Sequence, residues 1–269
     1  YSQSGTPTLS VESHYDAEKK QYTLTTRQVT APTHEQTEKQ ALHIPFDIEL
    51  YTATGNVIEL QRNGKSVHNV LDVKEAEQTF VFENVSEQPI PSLLREFSAP
   101  VKLEYDYSDE ELIFLMVNAR NEFSRWDAGQ MLLAKYIRSN VEKVQQGQEF
   151  ELSASVVDAF RGVLLSDSLE PAFIAEMLSL PSHNEVSGWY ERVDIDAVAS
   201  VLKAMKVMLA KELEDELSAV YHSNALTEYT IDHDSIGKRT LRKVCLSYLA
   251  HTEKGLSLIH ISEPTRHTR

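Results

Sequence analysis

At 269 residues, 41% of them hydrophobic, the chain is long enough for one large or two ordinary domains with sizeable cores. A formal net charge of −15 with no segregated basic patch argues against a nucleic-acid partner, and no apolar run approaches the roughly 18 residues that a membrane helix needs. Cys245 is the single cysteine, which excludes an internal disulfide and predicts a reducing, cytoplasmic setting.

The first 105 residues carry strand signals. Thr8–Val11, Tyr22–Thr26, His43–Tyr51, Asn56–Leu60 and Thr79–Glu83 are short runs rich in β-branched and aromatic residues. Ile44, Phe46, Ile48 and Leu50 alternate with His43, Pro45, Asp47 and Glu49, the period of a strand with one buried face. Ala53-Thr54-Gly55-Asn56 and Arg62-Asn63-Gly64-Lys65 read as tight turns, because Asn and Gly tolerate a positive φ. Phe97 to Tyr105 reads as the last strand. About seven short strands predict an immunoglobulin-like sandwich, without the Cys…Trp…Cys core of antibody domains.

The period then changes. Ser108-Asp109-Glu110-Glu111 is a capping-box sequence, and Leu112, Leu115, Met116 and Ala119 follow at helical spacing. Further helices are expected over Ser124–Gln145, Ala154–Leu165 and Pro171–Leu180. A second capping box at Ser182-His183-Asn184-Glu185 starts the next. Asp194 is expected to cap one long helix to Ser223, and Ile236–Ala250 closes the series. Successive helices with short connections fit a solenoid of armadillo or HEAT character, but no clean repeat period separates this from an irregular bundle. The last residues, 254–269, break the helical period. Ser257 to Arg266 resembles a translated sequencing adapter, so this tail is expected to be non-native and is set aside.

Side chains that could carry chemistry are scattered. No two of the ten histidines are four residues apart, so there is no H-E-x-x-H. His183 with Glu185 reads as part of a helix cap, His233-Asp234 as the approach to a helix, and His222 as a complement to a helix C-terminus. Lys238, Arg239, Arg242 and Lys243 read as the outer face of a helix. No paired cysteines, phosphate-binding glycine loop or G-x-S-x-G occurs. Asn118 to Gln130, with Phe123 and Trp126 among Arg, Asn and Asp, has two readings: a recognition surface, or a helix-to-helix corner with its aromatics packed inward. The corner is preferred.

Several phrases together carry a resemblance. Tyr1-Ser2-Gln3-Ser4-Gly5-Thr6-Pro7, His43-Ile44-Pro45-Phe46, Phe97 to Leu103, Asn118 to Gln130, Lys238 to Arg242 and Cys245-Leu246 look like the corresponding places in bacterial aminopeptidase N, a zinc peptidase family. The resemblance covers residues 1 to about 250 in order. It implies the β-sandwich and the first part of the C-terminal helical domain of such an enzyme. The zinc motif and the G-x-M-E-N motif belong to an upstream part. No catalytic residue and no metal ligand is therefore carried over to any position here, and the substrate-binding residues are unknown.

The reading is thus a sandwich over 1–105, a truncated helical solenoid over 106–253 and the tail over 254–269. It is expected to be a non-catalytic piece of a zinc-dependent aminopeptidase, a spacer and partial lid over the active-site chamber. The implied partners are an upstream catalytic domain and, through it, peptides. Zinc is implied for the parent enzyme, with no cofactor in this chain. The alternative is a non-enzymatic interaction module built from the same two folds. Either way the chain alone is expected to be inactive.

Overall fold

A computed structural model describes residues 3–226 and 228–252. The tail over 254–269 lies outside these. The chain divides into two compact units, Tyr1–Asp127 and Ala128–Arg269.

The first unit opens on a long hairpin. β1 (Pro7–Asp16) and β2 (Gln21–Thr30) pair antiparallel from Pro7↔Thr30 to Asp16↔Gln21. Asp16 Oδ1 accepts from the amides of Glu18 and Lys19 at 3.1 and 3.0 Å, which closes the turn. The other strands are β3 (Ile44–Tyr51), β4 (Val57–Ile58), β5 (Gln61–Arg62), β6 (Lys65–Ser66), β7 (Val70–Val73), β8 (Glu77–Phe82), β9 (Ile90–Leu93) and β10 (Lys102–Glu104). One sheet runs β10-β1-β2-β8, with β10 parallel to β1. The second places β3 between β4 and β7, with β9 also on β3. Leu9, Leu24, Phe80 and Phe82 from the first sheet and Ile44, Phe46, Ile48 and Leu71 from the second are buried, as period-two patterning requires. β7 and β9 fall between the expected strands.

β3 departs from simple alternation. Glu49, assigned by its period to the outer face, is 5% exposed, and Tyr51 is fully buried. α1 (Asp109–Asn118) brings the Phe114 ring to 5.9 Å from that of Tyr51, and the 95–97 segment packs on the same strand. The end of β3 is therefore covered on both faces. Ser108 caps α1 as its sequence predicts: Glu111 N donates to Ser108 Oγ at 3.1 Å, and Ser108 N to Glu111 Oε2 at 2.9 Å. The expected strand from Phe97 to Tyr105 is confined to β10, because residues 95–97 form a 3₁₀ turn.

The remaining helices are α2 (Glu122–Gln145), α3 (Ala154–Leu164), α4 (Pro171–Met177), α5 (His183–Ser187), α6 (Ile195–Glu212), α7 (Glu214–Ser223) and α8 (His233–Leu249). The single helix expected from Asp194 to Ser223 breaks at Leu213, where φ is −117° and ψ 17°. No Gly or Pro marks the break. Leu213 and Leu217 are both buried there, so packing sets it. In the second unit α8 packs against α4, α6 and α7. A Cβ at Gly237 would lie 3.1 Å from Ala172 N, so the missing side chain permits a close crossing with α4. Tyr248 Oη donates to Leu178 O at 2.6 Å on the same pair. Of the apolar residues of α8, Leu241 and Leu249 are buried while Ile236 is exposed.

Asn140 on α2 is 1% exposed and fixes the loop that follows. Its Nδ2 donates to Tyr136 O and Glu151 O, both at 2.9 Å, and its Oδ1 accepts from Glu151 N at 2.7 Å. Asn140→Ala leaves the two Glu151 groups without their partner and is predicted to cost about 2 kcal/mol, read as a lower urea midpoint for the helical signal. An unchanged midpoint would show that water replaces the amide.

Candidate interaction site at the strand-to-helix corner

A half-buried polar cluster of the first unit lies where β3 ends. Asp47 and Glu49 alternate with Ile48 and Leu50, so their carboxylates share a face. Arg95 Nη1 reaches this face, 3.3 Å from Asp47 Oδ1 and 3.8 Å from Glu49 Oε1. The Tyr51 hydroxyl donates to Glu49 Oε2 and accepts from the amide of Arg120 at 2.9 Å. Burial pushes the Tyr51 hydroxyl up to about 12 and raises the Asp47 carboxyl, so Tyr51 stays a donor across the accessible pH range. Asp47 N donates to Ser98 Oγ at 3.0 Å. Asp47, Glu49 and Tyr51 thus tie strand β3 to the 95–98 segment and to the turn between α1 and α2.

Bringing Arg95 inward constrains its neighbours. Leu94, Glu96 and Phe97 have φ of 55°, 54° and 50°, and none is glycine. A left-handed conformation costs an ordinary residue roughly 1–2 kcal/mol. Leu94 is buried and Arg95 nearly so, whereas Phe97 is 53% exposed. Glu96 is held by Asn121, whose Nδ2 donates to Glu96 Oε1 at 3.0 Å. Asn121 Oδ1 in turn accepts from Ser124 N at 3.0 Å, capping the start of α2. The Phe97 ring lies 6.2 Å from Phe123, and Phe123 lies 5.9 Å from Trp126.

The stretch from Asn118 is a corner, as preferred from sequence: α1 ends at Asn118 and α2 begins at Glu122. Its aromatics are only partly inward, since Phe123 and Trp126 both keep part of their surface. Arg125 Nε donates to Met116 O at 3.1 Å. Asp127 has its carboxyl pushed up to about 6 by burial. The remaining sequence-marked residues occupy separate places. His183 is the first residue of α5, and Glu185 completes the Ser182 capping box. His233 lies 3.0 Å from Glu170, with Asp232 as the cap. His222 is in the last turn of α7. Lys238 pairs with Asp234, Arg239 stacks on Tyr229 and Arg242 on Tyr221, so this basic group forms intramolecular contacts. Cys245 is buried, its thiol raised to about 12. Among the described residues, no three His, Cys, Asp or Glu side chains gather for a metal, so they do not fit a zinc site. No described helix is long and apolar enough to cross a membrane.

Sequence reasoning gave no site role to Glu49, Tyr51, Arg95 or Phe97. Only the placing of Arg95 and Glu96 between Leu93-Leu94 and Phe97 hinted that a charge is drawn inward there.

Residues 5–106 match the family described as a domain of unknown function (DUF3458) with an Ig-like fold. Residues 109–265 match the family described as a domain of unknown function (DUF3458_C) of ARM repeats. Aminopeptidase N of Escherichia coli K12 is 54% identical over 263 residues, 98% of this chain and 30% of that protein. Aminopeptidase N of Haemophilus influenzae is 40% identical over 259 residues, 96% of this chain and again 30% of that protein. The crystal structure of Legionella pneumophila aminopeptidase A in complex with aspartic acid superposes with a TM-score of 0.80 at 27% identity, covering 96% of this chain and 29% of that one. The chain thus spans about 30% of the length of the curated relatives it matches.

Tyr51→Phe removes a donor from Glu49 and an acceptor from Arg120. It is predicted to destabilise the first unit by about 1–3 kcal/mol in urea unfolding. A loss below about 0.5 kcal/mol would mean the network reorganises around the ring. Asp127 gives a pH signature. Its folded pKa of about 6 lies above the ordinary unfolded value, so its contribution is full below about pH 4 and is lost as pH rises through 6. Asp127→Asn is predicted to flatten the stability profile between pH 4 and 6 by roughly 2–3 kcal/mol. A parallel profile for the two proteins would refute this.

Proposed function

The chain belongs to the DUF3458_C family of ARM-repeat domains, joined here to a DUF3458 Ig-like domain, and on that premise we propose that it serves as a non-catalytic portion of a zinc-dependent aminopeptidase. The observation that supports this reading is the 54% identity to an aminopeptidase N sustained across 263 residues, sandwich and helices together. In such an enzyme the bound zinc supplies an activated water for hydrolysis at a peptide's N-terminus. The residues described here provide no ligand set for that ion. Their part is architectural. The strand-to-helix corner fixes how α1 leaves the sandwich, and the helices form a spacer and partial lid that limits which peptides reach the active-site chamber. The setting that fits a single buried cysteine is the cytoplasm.

The chain by itself is predicted to retain less than about 0.1 zinc per molecule after dialysis and to leave alanyl p-nitroanilide uncleaved. Metal analysis and a chromogenic assay check both. Zinc near one per chain with chelator-sensitive hydrolysis would overturn the proposal. A graft provides the positive arm. Placed in the Escherichia coli relative in exchange for its matched stretch, this chain is predicted to keep kcat/KM within tenfold, whereas deleting the stretch abolishes activity.

A further inference from the structure

A cavity of about 170 Å³ in the helical unit lies between the end of α4, α6 and α8. Leu178, Leu180, Val244 and Tyr248 supply apolar wall, and Lys206 lines it from α6. The Lys206 ammonium sits 5.5 Å from the centroid of the Tyr248 ring. The other polar groups of the lining are already committed. Ser179 Oγ donates to Ala175 O and Ser247 Oγ to Val244 O, both at 2.8 Å, and the Tyr248 hydroxyl donates to Leu178 O. Other half-buried cations of the same unit meet a carboxylate: Arg161 with Glu216, Lys143 with Glu151 and Lys238 with Asp234. Among the described residues Lys206 meets none.

The surroundings carry no acid to balance it. Residues 177–184, 197–211 and 235–252 supply the whole lining and contain no Asp or Glu, in a chain with 41 acidic residues. Two further basic groups are near. Burial lowers the His251 imidazole from its ordinary value, and the charges of Lys206 and Lys203 lower it further. Burial also lowers the Lys206 ammonium, so a bound anion would supply the counter-charge that the fold leaves out. The walls choose among anions. A phosphate ion gains nothing from two leucines, a valine and a ring face, whereas an apolar tail does. The volume sets the size, since about 150 Å³ is enough to hold benzene. We propose that this cavity binds a small organic carboxylate, its short branched tail against Leu178, Leu180, Val244 and the Tyr248 ring and its charge on Lys206. The site goes beyond the reading of the chain as part of a peptidase and does not depend on it.

Methyl NMR of the Leu- and Val-labelled chain, titrated with 3-methylbutanoate, tests this. Saturable shifts are expected at Leu178, Leu180 and Val244 with a dissociation constant of about 1 mM. The uncharged isostere 3-methylbutanamide and inorganic phosphate are each expected to bind at least tenfold more weakly. Lys206→Gln is expected to weaken 3-methylbutanoate at least tenfold, Lys206→Arg to restore it within threefold, and Lys211→Gln, on the exposed face of α6, to leave it unchanged. Absence of saturable shifts at the three wall residues up to about 30 mM overturns the proposal. Equal binding of the amide overturns it as well, by showing that the charge is idle, and tighter binding of phosphate does so by showing that the walls are. The amide and phosphate comparisons use the unaltered chain, so they decide the matter even if Lys206→Gln fails to fold.

Discussion

A carboxylate buried in a β-sandwich must be met by donors, and Glu49 is such a carboxylate. Desolvating it costs more than one hydrogen bond returns, so several groups converge on it. The Tyr51 hydroxyl donates to one oxygen and the Arg95 guanidinium faces the other. Tyr51 then needs a donor of its own and finds it in the amide of Arg120, which fixes where α1 turns into α2. Arg95 points inward between neighbours that hold a left-handed backbone, and Phe97 two residues on is exposed. A single charge at the end of β3 therefore determines the path of two connections that are about 25 residues apart in sequence.

The helical unit follows a different logic. Its order comes from apolar faces and from caps, with few buried polar groups. Asp194, Ser182 and Asp232 each accept from an amide in the first turn of the helix they precede. These caps define where helices begin, and Asn140 performs the equivalent service for a loop. Removing one cap shifts a boundary by a turn; removing an inward leucine leaves a cavity, which is the larger loss.

Most of the fold was legible because it depends on local, repetitive signals. The change from period two to period 3.6 at Ser108 marks the passage from strands to helices, and the capping boxes at Ser108 and Ser182 fix two starts. The illegible parts depend on what a residue meets in space. Glu49 looks like an outer-face residue until Tyr51 and Arg95 are seen to meet it. The break at Leu213 has no glycine or proline because packing, not propensity, causes it. The 94–97 segment contains none of the residues that favour a left-handed backbone, so a strand through Phe97 was the natural expectation. The corner was identified from Asn118 to Gln130, but its polar anchor lies on β3, about 70 residues earlier.

The crossing of α4 and α8 has an implication for which sequences can occupy this fold. With the Ala172 backbone so near the place a Gly237 Cβ would take, the two helices are spaced by the absence of a methyl group, and Tyr248 bonded to Leu178 sets their relative axial position. Drift at these positions is consequently one-directional. A methyl group at position 237 requires the Ala172 backbone to give by a few tenths of an ångström, and a larger shift of the helices strains the tyrosine's bond. Related chains that carry a side chain at 237 should therefore have lost the hydroxyl at 248 or shortened α4, so the two sites are expected to vary as a pair while the surface around them varies freely.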